Sequence, residues 1–302
     1  MEIGLFTTAG GRVRGIVDDA RRAEAEGFAL FVLANIRAHD ALGALAVAGS
    51  HTRHIRLLTG VVPTYTRHPV AMAQAARTTQ AAAEGRFTLG IGLSHRVNVE
   101  GMLGMSFDRP AAHMRDYLAV LMPLLHGEAV EFEGEHFTYR GALQTRDAQP
   151  VPCLIAAMAP VMLRLAGERA DGTILWMTAA AAIRDHVAPR VLKAAAVAGR
   201  PRPQIVCMLP ITLTADVRSA RTRASAEFAN YGNLPSYRAM LDKAGAVLPG
   251  DAAIVGDEAT VRDALEELRD IGVTAFAGML FDDGTGSVER TRAFLASLAP
   301  AI

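Results

Sequence analysis

IRLLTGVVPTYTRHPVAMAQAARTTQAAAEGRFTLGIGLSH, residues 55–95, holds the unit from which the whole chain is built. Ile55–Val62 is an apolar run of strand length that turns at Pro63. Val70–Ala83 follows with apolar residues at helical spacing, starting just after His68-Pro69. Phe87–Leu93 is apolar again, bounded by Gly85 and Ser94. A helix between two buried runs is the crossover that parallel strands require.

Working outward, the unit recurs. Upstream lie strand Ile3–Thr7, helix Val13–Glu26 stopped by Gly27, and strand Phe28–Ala34, apolar throughout as a strand covered on both faces must be. Asp40 is placed to N-cap helix Ala41–Ser50. Downstream, helix Arg109–Leu125 is followed by VEFEGEHFTY, Val130–Tyr139, whose alternation around Gly134 predicts an inserted hairpin. Strands Cys153–Ala157, Thr173–Met177, Gln204–Leu213 and Val273–Leu280 alternate with helices Val161–Ala170, Ala180–Ala198, Asp216–Ala229, Glu258–Ile271 and Val288–Leu298. Tyr231–Ile254, with Pro235, Gly245, Pro249 and Gly250, reads as irregular. Eight strands alternating with helices define an α/β fold that closes most simply as a (β/α)8 TIM barrel. The chain is expected to be one domain, residues 1–302, with insertions near 128–148 and 231–254. The competing open sheet would carry a glycine-rich phosphate loop after its first strand. TTAGGRVRG stands there and lacks the G-x-G-x-x-G spacing.

A barrel of this kind takes about 250 residues plus insertions, and 302 are present. The composition, 51% apolar and 21% charged, excludes disorder. Net charge is zero from 31 basic and 31 acidic residues, so nothing supplies the general field a nucleic-acid binder needs. No run approaches 18 uninterrupted apolar residues, and the N-terminus lacks a secretion-signal pattern. Cys153 and Cys207 sit in apolar runs and are expected to be buried, free thiols, which suits the cytoplasm. All basic residues except Lys193 and Lys243 are arginine, so an anionic ligand meets guanidinium groups.

The active site of such a barrel lies at the C-terminal ends of its strands. Here these are Thr7-Thr8, Asn35, Gly60–Tyr65, Gly92–His95, Ala156–Ala159, Trp176–Thr178, Pro210–Thr212 and Leu280–Asp283. They contain no His/Asp/Glu cluster, and the chain has no H-E-x-x-H, G-x-S-x-G or Walker A sequence, so no metal site is expected. An apolar mouth poor in titratable groups suits chemistry brought by a cofactor. Gly60 permits close approach of a flat ligand or an unusual peptide geometry, and Gly90 and Gly92 are the kind of strand glycines that mark close backbone approach; the plainer readings are a strand end before a Pro-started helix and steric relief inside the barrel.

TGVVPTYTRHPVAMAQ, GRFTLGIGLSH, PAAHMRDYLAVLMPLLHGEAVEFEGEHF and LRLAGERADGTILWM together resemble the luciferase-like monooxygenase superfamily. The run TRHPVAMAQ…GRFTLGIGLSH resembles its branch that uses the deazaflavin coenzyme F420. The resemblance spans nearly the whole chain. It implies an isoalloxazine-like ring lying across the mouth against a bulge at Gly60, Val61 and Val62, where relatives often have a non-proline cis peptide. Ser94 and His95, beyond Gly92, are then expected to edge the ring. Ala157, Met158 and Ala159 would hold the cofactor phosphate at a helix N-terminus, with Trp176, Met177 and Thr178 nearby and Thr7 and Asn35 on the rim. There are departures. AAMAPVM has no hydroxyl, which leaves the phosphate to backbone amides. Relatives often place a histidine or tryptophan just after strand two, where this chain has Asn35, with His39 further along.

The resemblance implies hydride transfer from reduced F420 to an electron-poor carbon, C=C or C=N, of a small organic substrate. His95 is the first candidate for moving the proton, because it stands at a strand exit and titrates near neutrality. Tyr65, His68 and His39 follow. The other histidines fall on helices, helix ends or the hairpin and read as bland. Arg12, Arg14, Arg37, Arg67 and Arg96 are available for the acidic tail of F420. His113 and Arg115 are expected to brace the inserted region, and Asp282 and Asp283, beside Gly284 and Gly286, to form a turn. Met102, Met105 and Met114 suit an adaptable pocket or core packing equally. The alternatives are an FMN-dependent monooxygenase fed by a partner reductase, and a non-catalytic cofactor-binding barrel. A separate F420 or flavin reductase would supply the cofactor, and a homodimer is the expected assembly.

Overall fold

A computed structural model describes residues 1–8, 10–145 and 147–299. Eight parallel strands form the ring: β1 (Glu2–Thr8), β2 (Leu30–Ala34), β3 (Arg56–Thr59), β4 (Phe87–Gly92), β5 (Cys153–Ala156), β6 (Gly172–Trp176), β7 (Gln204–Leu213) and β8 (Ala275–Leu280). Each pairs with the next, and β8 returns to β1 with Glu2 opposite Ala275. The sheet is thus the closed barrel that the alternation predicts. β2 is buried along its whole length, as its unbroken apolar run requires. Both cysteines are free and buried, in β5 and β7.

Four local differences from the sequence reading bear on function. The third strand is not continuous to Val62. Leu58 pairs with Thr88 and Val62 with Ile91, so Thr59, Gly60 and Val61 oppose only Leu89 and Gly90. That is a bulge. The Thr59 hydroxyl pins it, accepting from the Gly90 N–H at 2.8 Å and donating to the Gly90 carbonyl at 2.9 Å. Position 90 must be glycine, because a Cβ there would lie 2.0 Å from the Thr59 carbonyl oxygen.

Second, a short helix, Arg96–Gly101, follows β4. Third, the helix after β6 is interrupted: Ala180–Ala182 and Ala188–Val197 are joined by a π-helical turn, Ile183–Val187. Fourth, Tyr231–Ile254 is ordered rather than irregular. It contains helices Ala229–Gly232 and Pro235–Lys243, a 3-10 turn Pro249–Ala252 and strand Ile254–Gly256 on the edge of β7. The proline and glycine that suggested a break are its punctuation: Pro235 opens a helix, and Gly245, with φ +69°, lies just past its end.

The other insertion carries the predicted hairpin, Val130–Glu133 with Thr138–Gly141. Buried Arg77 ties the following loop to the barrel, donating to the Thr145 hydroxyl and to the carbonyls of Leu125, Thr145 and Ala148. No described helix is long and apolar enough to cross a membrane.

Candidate active site

The bulge builds a ledge over the barrel's upper core. The Gly60–Val61 peptide is cis, and the Gly60 N–H donates to the Leu33 carbonyl at 2.9 Å. A Cβ on Gly60 would meet Val32 Cγ1 at 2.7 Å, Met208 Sδ at 3.1 Å and Phe6 Cε2 at 3.4 Å. Side chains from β1, β2 and β7 therefore form a floor directly beneath it. Val61 is half-buried beside Gly92, where a Cβ would lie 2.8 Å from Val61 Cγ2 and 3.2 Å from Ala156 Cβ. The glycines of β3 and β4 thus meet around one valine, as the bulge-and-exit reading expects. Val62 itself is fully buried and supports the ledge from within.

Two exits adopt left-handed backbone: Ser94 with φ +62° and Met177 with φ +51°. L residues rarely tolerate that conformation, and such strain tends to sit at functional sites. Ser94 is half-buried and its hydroxyl accepts from Asn98 at 3.3 Å. Next to it, His95 is half-buried, and burial pushes its pKa below the usual histidine value. It is therefore a neutral imidazole at pH 7. Trp176 is buried at the β6 exit, with its ring 5.1 Å from Phe6. Met177 N–H reaches the Met208 carbonyl at 3.2 Å, and buried Thr178 bonds back to the Trp176 carbonyl.

Beyond β5, Ala157 is buried, Met158 half-buried and Ala159 exposed. Helix Pro160–Arg169 begins there with no side-chain cap, and so does the helix starting at Ala180. Pro160 has no N–H, so Val161 and Met162 offer the first free amides. The His186 imidazole, buried in the π-helical turn, donates from Nε2 to the Met158 carbonyl at 2.7 Å. It anchors this loop, a role the sequence concealed. Its position on a helix made it look bland, and only the fold brings it under residue 158.

Tyr65 lies just past the ledge and stacks on His113, centroids 4.1 Å apart and planes 5° from parallel. Its hydroxyl is buried with no hydrogen-bond partner among the described residues. Burial raises its pKa, so the phenol keeps its proton. His113 bonds to the Thr64 hydroxyl at 3.1 Å and packs against His136 and Phe137 of the hairpin segment. Burial, reinforced by His136, lowers its pKa to about 4. It braces the insertion, as expected.

Other candidates are not drawn into the mouth. His39 is exposed on the loop after β2. Asn35 is occupied structurally, its Oδ1 accepting from the Ala41 N–H at 2.9 Å beside the Asp40 cap. Thr7 is half-buried at the β1 exit. His68 N-caps its own helix through Val70. Arg67 pairs with Asp40, and Arg96 with Glu100, whereas Arg12, Arg14 and Arg37 are exposed. Asp282 and Asp283 accept from Gly284, Thr285 and Gly286 and form the expected turn. Met114 is core, while Met102 and Met105 are exposed. Among the described residues, no cluster of three or more His, Cys, Asp or Glu is placed to hold a metal ion. Sequence reasoning missed Tyr231 and Tyr237. Both stand in the segment read as irregular, yet their rings reach Trp176 and His95.

The fold and site define a closed (β/α)8 barrel whose C-terminal face carries a glycine-built ledge and, at Pro160–Arg169, a helix start without a side-chain cap. More particularly, the chain belongs to the family of luciferase-like monooxygenases, an oxidoreductase family whose model matches residues 1–275. An uncharacterised Mycobacterium tuberculosis protein (strain H37Rv) is 29% identical over 222 residues, 68% of this chain and 65% of that protein. This chain thus spans just under two thirds of that relative's length. An F420-dependent glucose-6-phosphate dehydrogenase of Intrasporangium calvum is 31% identical over 220 residues, 67% of this chain and 66% of that enzyme. Among solved structures, the coenzyme F420-dependent tetrahydromethanopterin reductase of Methanopyrus kandleri superposes with a TM-score of 0.83 at 21% identity, covering 98% of this chain and 97% of that one. The oxygenating constituent of 3,6-diketocamphane monooxygenase from Pseudomonas putida, with FMN, gives 0.77 at 16% identity, covering 100% and 98%. At these identities the structural likeness speaks for the fold.

Proposed function

We propose that this chain is an F420-dependent oxidoreductase moving a hydride between C5 of the deazaflavin and an electron-poor carbon, C=C or C=N, of a small organic substrate. The observation that carries this reading is the Gly60–Val61 ledge, set over Phe6, Val32 and Met208; among the described residues no three His, Cys, Asp or Glu side chains gather to hold a metal ion. The residues present fit a flat, largely apolar ring with a phosphate arm. Gly60 and Val61 are half-buried and apolar, and the free amides of Val161 and Met162 favour an anion. The relatives named as F420-dependent glucose-6-phosphate dehydrogenases support this choice of cofactor.

When bound, the deazaflavin supplies the hydride. The chain's own part is positioning, water exclusion and proton handling. The ledge orients the ring, and Tyr231 and Tyr237 shield the side between the β6 and β4 exits. His95, uncharged at neutral pH, is poised to accept a proton on an imidazole nitrogen in the dehydrogenase direction and to return it in the reductase direction. Tyr65 is the second candidate, whereas His39, exposed on the loop after β2, is no longer one. A separate F420 or flavin reductase would supply the reduced cofactor, and the assembly would be a homodimer.

The test is titration of the purified chain with F420 and with FMN, followed by Trp176 emission, then turnover with and without oxygen. Tight F420 binding with oxygen-independent turnover is the expected result. FMN binding with oxygen-dependent turnover would replace this reading with a flavin monooxygenase, the alternative favoured by the FMN-bound structural neighbour. F420 binding without hydride transfer to any acceptor would make the barrel a cofactor carrier.

A further inference from the structure

Six rings form a continuous arc over one side of the mouth. Phe6 from β1 meets Trp176 from β6 at 5.1 Å. Trp176 meets Phe228 at 5.6 Å and Tyr231 at 5.8 Å. Tyr231 meets Tyr237 edge-on at 4.9 Å, and Tyr237 reaches His95 at the β4 exit at 5.5 Å. The insertion between β7 and β8 therefore crosses to the far rim, and its two tyrosines close the arc.

The arc carries no charge. Burial pushes the Tyr231 and Tyr237 phenols up and the His95 imidazole down, and no Lys, Arg, Asp or Glu contributes to any of these shifts. Neither of the two cation–π contacts among the described residues falls on a ring of the arc: Arg96, the neighbour of His95 in the chain, lies over Phe107, and Arg262 lies over Phe294. One polar atom in the arc is unspent. The Trp176 indole N–H is buried and makes no hydrogen bond of acceptable geometry, although it is close enough to the Tyr231 phenol to temper that group's pKa. A buried donor without an acceptor is costly unless a ligand completes it.

We infer that this arc is the substrate wall, that Tyr231 and Tyr237 determine specificity, and that the substrate is a neutral, apolar enone whose carbonyl oxygen accepts from the Trp176 N–H. An anionic substrate would have to shed its hydration against six uncharged rings, none of which has a cation stacked on it. An apolar skeleton gains from the same rings by burial and stacking. A hydrogen bond to an enone carbonyl also draws electrons from the conjugated C=C, which is the bond a hydride donor attacks. The inference rests on the F420 reading for that last step, while the wall's preference stands on the rings alone.

The experiment is isothermal titration calorimetry of the full chain, with and without saturating oxidised F420, which cannot reduce an enone. The probes are benzylideneacetone, trans-cinnamate (the same skeleton with a carboxylate) and trans-β-methylstyrene (which lacks the carbonyl). Benzylideneacetone should bind at least tenfold more tightly than either. Tyr231→Ala should weaken benzylideneacetone about tenfold, with the variant's fold certified by its far-UV circular dichroism and melting temperature. Tyr231→Phe should keep most of the binding. Cinnamate binding as tightly as the ketone in the wild-type chain would overturn the inference, whatever the variants do. So would unchanged ketone binding in a folded Tyr231→Ala chain. Failure of F420 to bind in its own titration would instead sink the cofactor reading, and the ketone comparison without F420 would still decide the wall.

Discussion

Replacing Gly92 by alanine should unseat the cofactor without collapsing the barrel. The new methyl would lie 2.8 Å from Val61 Cγ2 and 3.2 Å from Ala156 Cβ, where ordinary contact begins at 3.4 Å. Ala156 sits on the neighbouring strand β5, paired through the sheet, and has little room to retreat. Val61, half-buried on the ledge, must withdraw by about 0.6 Å or change rotamer, which disturbs the surface proposed to seat the ring. Overpacking of this kind costs about 1–3 kcal/mol of stability, or roughly 2–5 °C in melting temperature for a chain of this size. A displaced ledge should cost F420 about tenfold in affinity, roughly 1.4 kcal/mol. Trp176, the single tryptophan in the chain, makes the binding assay simple, because its emission reports from the adjoining exit. Gly90→Ala is the contrasting variant. Its methyl would lie 2.0 Å from a backbone carbonyl, which cannot swing aside, so it should fail to fold rather than fail to bind. If Gly92→Ala melted early yet bound F420 like the parent, the ledge would not be the seat.

His95→Ala should lower turnover about 10²–10⁴-fold with F420 affinity little changed, measured by steady-state rates against fluorescence titration. Because burial depresses the His95 pKa, the dehydrogenase rate should hold flat through neutral pH and fall only on acidification below the ordinary histidine value; a fall centred above pH 7 would assign the proton elsewhere. Arg77→Ala should cost about 2–4 kcal/mol in chemical denaturation, because it leaves the carbonyls of Leu125, Thr145 and Ala148 without their buried donor. Asp283 titrates at about 2. Burial opposes its charge, but hydrogen bonds from Thr285, Thr214 and Ser287 outweigh that cost. Its contribution is therefore complete above the ordinary aspartate value of 3.8 and lost as pH falls toward 2. Asp283→Asn should lose about 1–3 kcal/mol at pH 7 and little at pH 2, read from urea melts at both.

The barrel was legible because its signals are local and repeated. Each strand is a short apolar run, each helix a spaced pattern with its own stop, and eight repetitions leave few topologies. The ledge was half legible. Gly60, Gly90 and Gly92 announced close approach, but the residues approached could not be read. Gly90 answers to the Thr59 carbonyl and Gly92 to the Val61 side chain, one fixing the bulge and the other clearing the seat. What stayed hidden is whatever depends on long-range placement. Asn35 sits at a strand exit, which made it a cofactor candidate, yet its side chain is occupied in capping the next helix.

The covering segment is the strongest case. Pro235, Gly245 and Pro249 are breakers on a local scale, and local reasoning makes them a loop. In the folded chain they delimit two short helices and a turn, a rigid frame that projects Tyr231 and Tyr237 from the β7–β8 side toward the β4 exit. A barrel's catalytic face is assembled from loops that are distant in sequence, so the residues that choose the substrate are those that local periodicity describes least well. The ledge sets what kind of ring can lie in the mouth and is written in glycines near one another in the chain. The wall that would sort substrates is written more than a hundred residues away from His95, in a segment that the fold carries back to the β4 exit.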